Sequence, residues 1–316
     1  MLKGDIKTGR IQAAQSTKIT WLGLANEFIK SAQFRGLAEQ TIRTYEHNRE
    51  YFFRFAGDIP CSEIDSNLME SYLEYLRDEK GLTNPVTINS YLGNLSPILK
   101  YGFRKRYIKE NISVPTVKGQ ETFKEIYSQD ELDRLLEKPL QNDFVTIRAW
   151  CIVWTLTCTG IRARELRNLK IKNVDMFNRQ LIVNVTKNKK PRIIPISAQL
   201  FEVLKEYLLI RGGEPDDYLF ASIYNEQLAM TTLQDSVKNY STKRGVNKYS
   251  LHLFRHTFIT NAVNTGVSPL MLQRITGHST LMQLNRYYNA RTEDLVQIID
   301  SITPSLKQKK QILKHK

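Results

Sequence analysis

Residues 159–169 read TGIRARELRNL, and residues 252–258 read HLFRHTF. Each stretch sets an arginine, Arg162 in the first and Arg255 in the second, beside a glycine or a helix end. Two further pieces of the same half of the chain share that character. One is the basic turn Lys187-Asn188-Lys189-Lys190-Pro191, between the β-branched run QLIVNVT (180–186) and Arg192–Ile196. The other is Gly277-His278-Ser279, followed nine residues after His278 by Tyr287. Richness in β-branched residues on either side of a basic turn predicts two short strands. Helical spacing elsewhere, with a capping-box pair at Ser128 and Glu131 ahead of Leu132, Leu135 and Leu136, predicts helices.

Arginines, histidines, a lysine and a tyrosine scattered over four such pieces suit the transfer of a phosphodiester. The pentavalent phosphate gathers negative charge on its non-bridging oxygens, and fixed cations aimed there supply most of the rate. The guanidinium fork binds phosphate oxygens bidentately and stays charged. The leaving sugar oxygen needs a proton, which His or Lys can give. A tyrosine can attack and hold the phosphate covalently. Its ordinary pKa is about 10, so nearby cations and a base must favour the phenolate.

The arrangement resembles the tyrosine recombinase (phage integrase) family, whose motifs are a first arginine, a strand-turn lysine, a His-x-x-Arg box, a Gly-His pair and a C-terminal tyrosine, all present here in that order. The resemblance covers about residues 19–300. It implies that Arg162 and Arg255 clamp the scissile phosphate, and that Lys187 is the general acid. His252 would be the general base or a hydrogen-bond partner, His278 would contact a phosphate oxygen, and Tyr287 would be the nucleophile. Glu165 matches an acidic position that supports the site. Arg164 stands where the family usually has a small residue, and Phe254 where leucine is common.

The fold expected is mainly α with a small antiparallel β-sheet: a helical core-binding domain followed by an α+β catalytic domain. The boundaries read are a flexible basic leader at 1–18, a helical DNA-clamp domain at 19–110 and a linker at 111–125. The catalytic domain is read at 126–300 and a basic tail at 301–316. In the first domain, apolar spacing predicts helices over Ile19–Phe34, Glu39–Phe55, Asn67–Arg77 and from Pro85 to about Tyr107. The last of these ends in Lys100, Arg104, Lys105, Arg106 and Lys109, a cluster that reads as a phosphate-binding face or as a solvated helix end. With so few residues ahead of the first helix, a two-domain, Xer-like layout is expected rather than one with a separate arm-binding domain.

Composition agrees with a nucleic-acid partner. Of 316 residues, 46 are Lys or Arg and 32 Asp or Glu, a formal charge of +14 that favours a polyanion. No stretch approaches the roughly 20 apolar residues of a membrane span, and the N-terminus lacks an apolar signal core. A cytoplasmic, nucleoid-associated protein is expected, without a membrane partner. The three cysteines, Cys61, Cys151 and Cys158, have no metal-ligand spacing and read as buried reduced thiols. No metal and no cofactor is expected. The partners implied by the resemblance are double-stranded DNA carrying specific sites and a homotetramer on two duplexes, with accessory DNA-bending proteins as a further possibility. A type IB topoisomerase-like enzyme and a non-catalytic DNA-binding protein of the same fold are the rival readings.

Each site residue has a plainer reading. Arg162 and Glu165 have the spacing of a helix-surface pair. His252 and His278 can be satisfied core histidines. His256 is read as structural, packing beneath Arg255. Lys189 and Lys190 compete with Lys187 as the acid. Tyr287 can be a core aromatic beside Leu284, and Tyr288 is its neighbour. On one helix running on from Ser279, Leu281, Leu284 and Tyr288 form an apolar stripe that leaves Tyr287 off it.

Overall fold

The structure, a computed structural model, describes residues 19–119, 125–140, 143–184, 191–285 and 287. The chain divides into two compact units on either side of Phe123 and Lys124.

The first unit is built from α1 (Trp21–Phe34), α2 (Glu39–Ala56), α3 (Ser66–Asp78) and α4 (Pro85–Arg104). Helix α1 buries Trp21, Leu24, Ala25, Phe28, Ile29 and Ala32, the three-and-four spacing of one helical face. Trp21 packs on Phe52 of α2, with ring centroids 4.5 Å apart, and Phe52 packs on Tyr72 of α3 at 5.1 Å. Helix α3 is capped by Asp65, whose carboxylate accepts from the Leu68 N–H. Asn84 caps α4 and Pro85 opens it. Helix α4 carries Pro97 within it and ends at Arg104, short of Tyr107, so Lys105 is its C-cap and Arg106 lies beyond at a φ of 63°. A Cβ at Gly102 would stand 2.8 Å from Leu24, so α1 and α4 approach closely there because the side chain is missing. Part of residues 111–119 packs on this core, while Asn111, Ser113, Thr116, Lys118 and Gly119 are exposed. Ile112 is buried in this core, Val114 and Val117 lie against it, and Asn89 bonds both the N–H and the carbonyl of Val117.

The second unit opens with α5 (Gln129–Leu136) on the Ser128–Glu131 capping box. Its central helix is α6 (Phe144–Thr159), which buries residues all round its circumference and packs against α8, α9 and α10. After the short α7 (Ala163–Arg167) come β1 (Val174–Asp175), β2 (Gln180–Val183) and β3 (Arg192–Pro195), in an antiparallel sheet ordered β1-β2-β3. Leu181 faces Ile194 and Val183 faces Arg192; Leu181, Val183 and Ile194 point into the core. The remaining helices are α8 (Ala198–Arg211), α9 (Met230–Lys243), α10 (Leu251–Asn264), α11 (Pro269–Thr276) and α12 (Met282–Asn285).

The expected class, mainly α with a small antiparallel sheet, is the one observed, with β1 as a strand the β-branched runs did not mark. Of the helix expected from Ser279 onward, only residues up to 285 and Tyr287 are described. Helix α12 spans Met282–Asn285 and Tyr287 lies in a turn, its N–H bonded to the Leu284 carbonyl at 2.8 Å. Tyr288, Lys187 and the tail at 301–316 lie outside the described residues, as does the leader at 1–18. Cys61 and Cys151 are buried thiols, while Cys158 is only partly buried. Among the described residues no helix is long and apolar enough to cross a membrane.

Candidate active site

Helix α6 stops at Gly160, which takes the left-handed conformation at a φ of 56°. A Cβ there would stand 2.4 Å from the Phe258 ring, so the turn needs glycine twice over. The turn sets Arg162 at the start of α7, and Glu165 reaches back to accept from the Arg162 N–H at 3.0 Å, one arm of a capping box. The same carboxylate accepts from the Arg162 guanidinium at 3.0 Å. Arg192 of β3 closes on it as a fork, at 2.9 and 2.7 Å. Burial alone would raise the Glu165 pKa, but Arg192 and Arg162 together hold the carboxyl below its ordinary value.

Three arginines converge on the last turn of α11. Arg192 donates to the Ile275 carbonyl at 2.9 Å, Arg255 to that of Thr276 at 2.9 Å, and Arg162 to that of Gly277 at 2.8 Å. These carbonyls end a helix, where they lack helical partners and carry the negative pole of its dipole. Gln273 holds the next carbonyl, that of His278, at 3.1 Å. Arg255 also donates to the Gly160 carbonyl at 2.6 Å, tying the TGIR turn to the HLFRH helix. Arg255 is 8% exposed. Burial, and after it the charge of Arg162, lower its pKa to about 9, with Glu165 pulling the other way; it stays a cation at neutral pH.

The structure therefore brings together Arg162, Glu165, Arg255 and His278, residues from three separate motifs. His278 Nε2 lies 3.2 Å from Arg255 Nη2. Tyr287 is half-buried against a small cluster of Ile259, Leu272 and Leu284. Its ring lies 5.1 Å from that of His256, so the histidine read as filler beneath Arg255 adjoins the tyrosine. His252 is exposed on α10, one turn before Arg255. Arg164 is exposed beside Arg162. Lys100, Arg104, Lys105 and Arg106 belong to the first unit and are all exposed, with Lys105 also paired to Glu27 at 3.5 Å.

Two residues of this arrangement carried no signal in the sequence. Arg192 served only to mark the strand after the basic turn, yet it is the main partner of Glu165. Thr276 is fully buried and connects Arg255 to His278.

The profile of the phage integrase family matches residues 125–294, and that of the phage integrase SAM-like domain matches residues 20–118. Among curated relatives, a tyrosine recombinase of Pseudothermotoga lettingae is 25% identical over 85% of this chain and 93% of its own. The tyrosine recombinase XerD of Vibrio vulnificus is 26% identical over 91% and 97%. Among solved structures, the Tn1549 transposon integrase in complex with a circular intermediate DNA superposes with a TM-score of 0.73. It shares 18% identity, over 89% of this chain and 99% of that one. A lambda integrase tetramer bound to a Holliday junction gives a TM-score of 0.68 at 17% identity, over 86% and 78%.

Proposed function

The chain belongs to the phage integrase family, and on that premise we propose that it is a site-specific DNA recombinase working through a 3′-phosphotyrosyl intermediate. The observation that carries the reading is the convergence of Arg162 and Arg255 on the α11 terminus beside His278, with Tyr287 within reach of the Arg255 charge. Fixed guanidinium groups, Arg255 buried and Arg162 half-buried, with a deficit of nearby anions form a receptor for a phosphate.

Arg162 and Arg255 bind the non-bridging oxygens and stabilise the charge that builds there. Tyr287 attacks phosphorus, its proton passing to a base, for which His252 is the candidate. The bond to the 5′ oxygen breaks, and Lys187 supplies that oxygen's proton. His278 contacts a phosphate oxygen, and Glu165 supports the arginines. The 5′ hydroxyl of a second strand then attacks the phosphotyrosine and the tyrosine leaves. One phosphate ester replaces another at each step, so neither ATP nor a metal is required. Residues 126–300 form the catalytic domain and 19–110 the core-binding domain, joined through 111–125; Lys100, Arg104, Lys105 and Arg106 bind the DNA backbone. The working form is a homotetramer on two duplexes, with accessory DNA-bending proteins where the sites demand them, in the cytoplasm at the nucleoid.

Trapping on nicked suicide duplexes from the flanking DNA of its own gene tests the reading. A covalent protein–DNA adduct is expected, followed by strand exchange between two sites. Adduct formation with relaxation but no exchange would mark a topoisomerase-like enzyme, and binding without adduct a DNA-binding protein.

A further inference from the structure

We propose that Thr276 is a positioning residue that sets the tautomer of His278, an inference that rests on His278 acting in the site as read above. The geometry is a directed chain. Thr276 Oγ1 lies 2.5 Å from the Leu272 carbonyl, which can only accept, so the hydroxyl hydrogen points there. Thr276 Oγ1 also lies 2.7 Å from His278 Nδ1. With its own hydrogen committed to Leu272, the hydroxyl must accept, so Nδ1 carries the proton. The other end of the ring gives the same answer independently. Nε2 faces Arg255 Nη2 at 3.2 Å, and a guanidinium can only donate. Nε2 therefore presents its lone pair, and the ring is neutral and protonated on Nδ1.

The same residue holds the other side of the contact, because the Thr276 carbonyl accepts from Arg255 Nη2 at 2.9 Å. Backbone and side chain of Thr276 thus fix the Arg255 fork and the His278 ring relative to each other. The residue is fully buried, and its position on the last turn of α11 is maintained by the Gly277 C-cap. The consequence is that His278 meets the phosphate with its ring held: Nδ1 stays bonded to Thr276 whether the ring is neutral or charged, and Nε2, which faces Arg255 in the DNA-free protein, contacts the phosphate oxygen once protonated. Valine has the shape of threonine without the hydroxyl, so Thr276→Val removes the acceptor and leaves the volume.

The test pairs a spectrum with a rate, on the full-length protein. Long-range proton–nitrogen spectra of histidine-labelled, DNA-free protein, with His278→Gln for assignment, should show Nδ1 protonated and Nε2 unprotonated. Thr276→Val should move the His278 signals toward the other tautomer, and Thr276→Ser should restore them. On a suicide duplex Thr276→Val should cleave about tenfold to a hundredfold more slowly at unchanged DNA affinity, part of the roughly 10²–10³ that one donor to a transition-state oxyanion supplies. Thr276→Ser should recover most of that loss. A wild-type His278 protonated on Nε2 overturns the proposal whatever the variants do, and so does a folded Thr276→Val whose spectrum and cleavage match wild type. His278→Gln separates this failure from failure of the wider reading. If that variant cleaves like wild type, the role of His278 itself falls; if it is defective while Thr276→Val is not, only the role of Thr276 falls.

Discussion

Arg192 grips both carboxylate oxygens of Glu165, at 2.9 and 2.7 Å, across 27 positions of sequence. The pair is almost sealed, with side-chain exposures of 9% and 2%. Glu165 also bonds Arg162, so one buried anion offsets two cations in a site where Arg255 adds a third. Breaking a buried pair by removing one partner leaves an uncompensated charge, at a cost of about 3–5 kcal/mol. Arg192→Ala should therefore destabilise the protein by about that much, measured by urea unfolding, and should also impair cleavage because Arg162 loses its brace. A loss below about 1 kcal/mol would show that the fork contributes little.

The depressed carboxyl of Glu165 makes part of this stability pH-dependent. Burial opposes ionisation, but the arginines outweigh it, so the folded pKa lies below the ordinary 4.5. A group of that kind stabilises the fold fully above its unfolded pKa and loses its contribution as pH falls through the folded one. The stability advantage of wild type over Glu165→Gln should be greatest above about pH 5 and shrink as the pH drops below 4.5. Denaturation midpoints across pH 3–7 check this; a constant difference would mean Glu165 is not the titrating group.

Gly277 has a φ of 67°, and a Cβ on it would lie 3.1 Å from the Arg192 side chain. Alanine there incurs the left-handed penalty of roughly 1–2 kcal/mol and crowds an arginine that cannot yield without releasing Glu165. Gly277→Ala should unfold earlier by at least that amount and bind cleavage substrate less tightly. A melting curve matching wild type would show that the turn relaxes freely.

Much of this was legible in the sequence, and the limits have physical reasons. Local signals were dependable: Pro85 does open α4, Ser128 and Glu131 do form a capping box, and β-branched runs marked β2 and β3. Each rests on neighbours a few residues apart. Arg192 and Thr276 escaped because their partners are set by the tertiary fold, Glu165 and Ile275 for Arg192 and Arg255 for Thr276. His256 escaped for the same reason, since the contact of its ring with that of Tyr287 is made by the tertiary fold. Of the helix expected beyond Ser279, α12 at Met282–Asn285 and a turn at Tyr287 are described, and helical spacing of Leu281 and Leu284 alone does not fix where a helix ends.

Lys187 lies outside the described residues, so its role rests on its place in the turn ahead of β3. If it protonates the leaving 5′ oxygen, Lys187→Ala should slow cleavage by about 10²–10⁴. A duplex with a 5′-phosphorothiolate leaving group needs no such proton and should largely restore the rate. Equal defects on both substrates would assign Lys187 to binding, or the acid to Lys189.

Tyr287 and Tyr288 compete for the nucleophile, and helical phase cannot separate them, because α12 ends at Asn285 and Tyr287 already lies in a turn. Tyr288 lies outside the described residues, and what supports Tyr287 is its place in the fold. Tyr287 rests on the Ile259, Leu272 and Leu284 cluster, which joins α10, α11 and α12, the helices that carry Arg255 and lead into and out of His278. Attack requires the phenolate, which a guanidinium such as that of Arg255 favours. Tyr287→Phe removes only the hydroxyl and keeps the ring on that cluster, so it should abolish the covalent adduct while DNA affinity stays near normal. Tyr288→Phe should keep cleavage within about tenfold, an effect of at most about 1.4 kcal/mol on the barrier. Peptide mapping of the trapped adduct, with both variants assayed on the same suicide duplex, decides the matter. An adduct on Tyr288, or a Tyr287→Phe protein that still forms one, would transfer the role to the neighbour and leave Tyr287 as a packing residue.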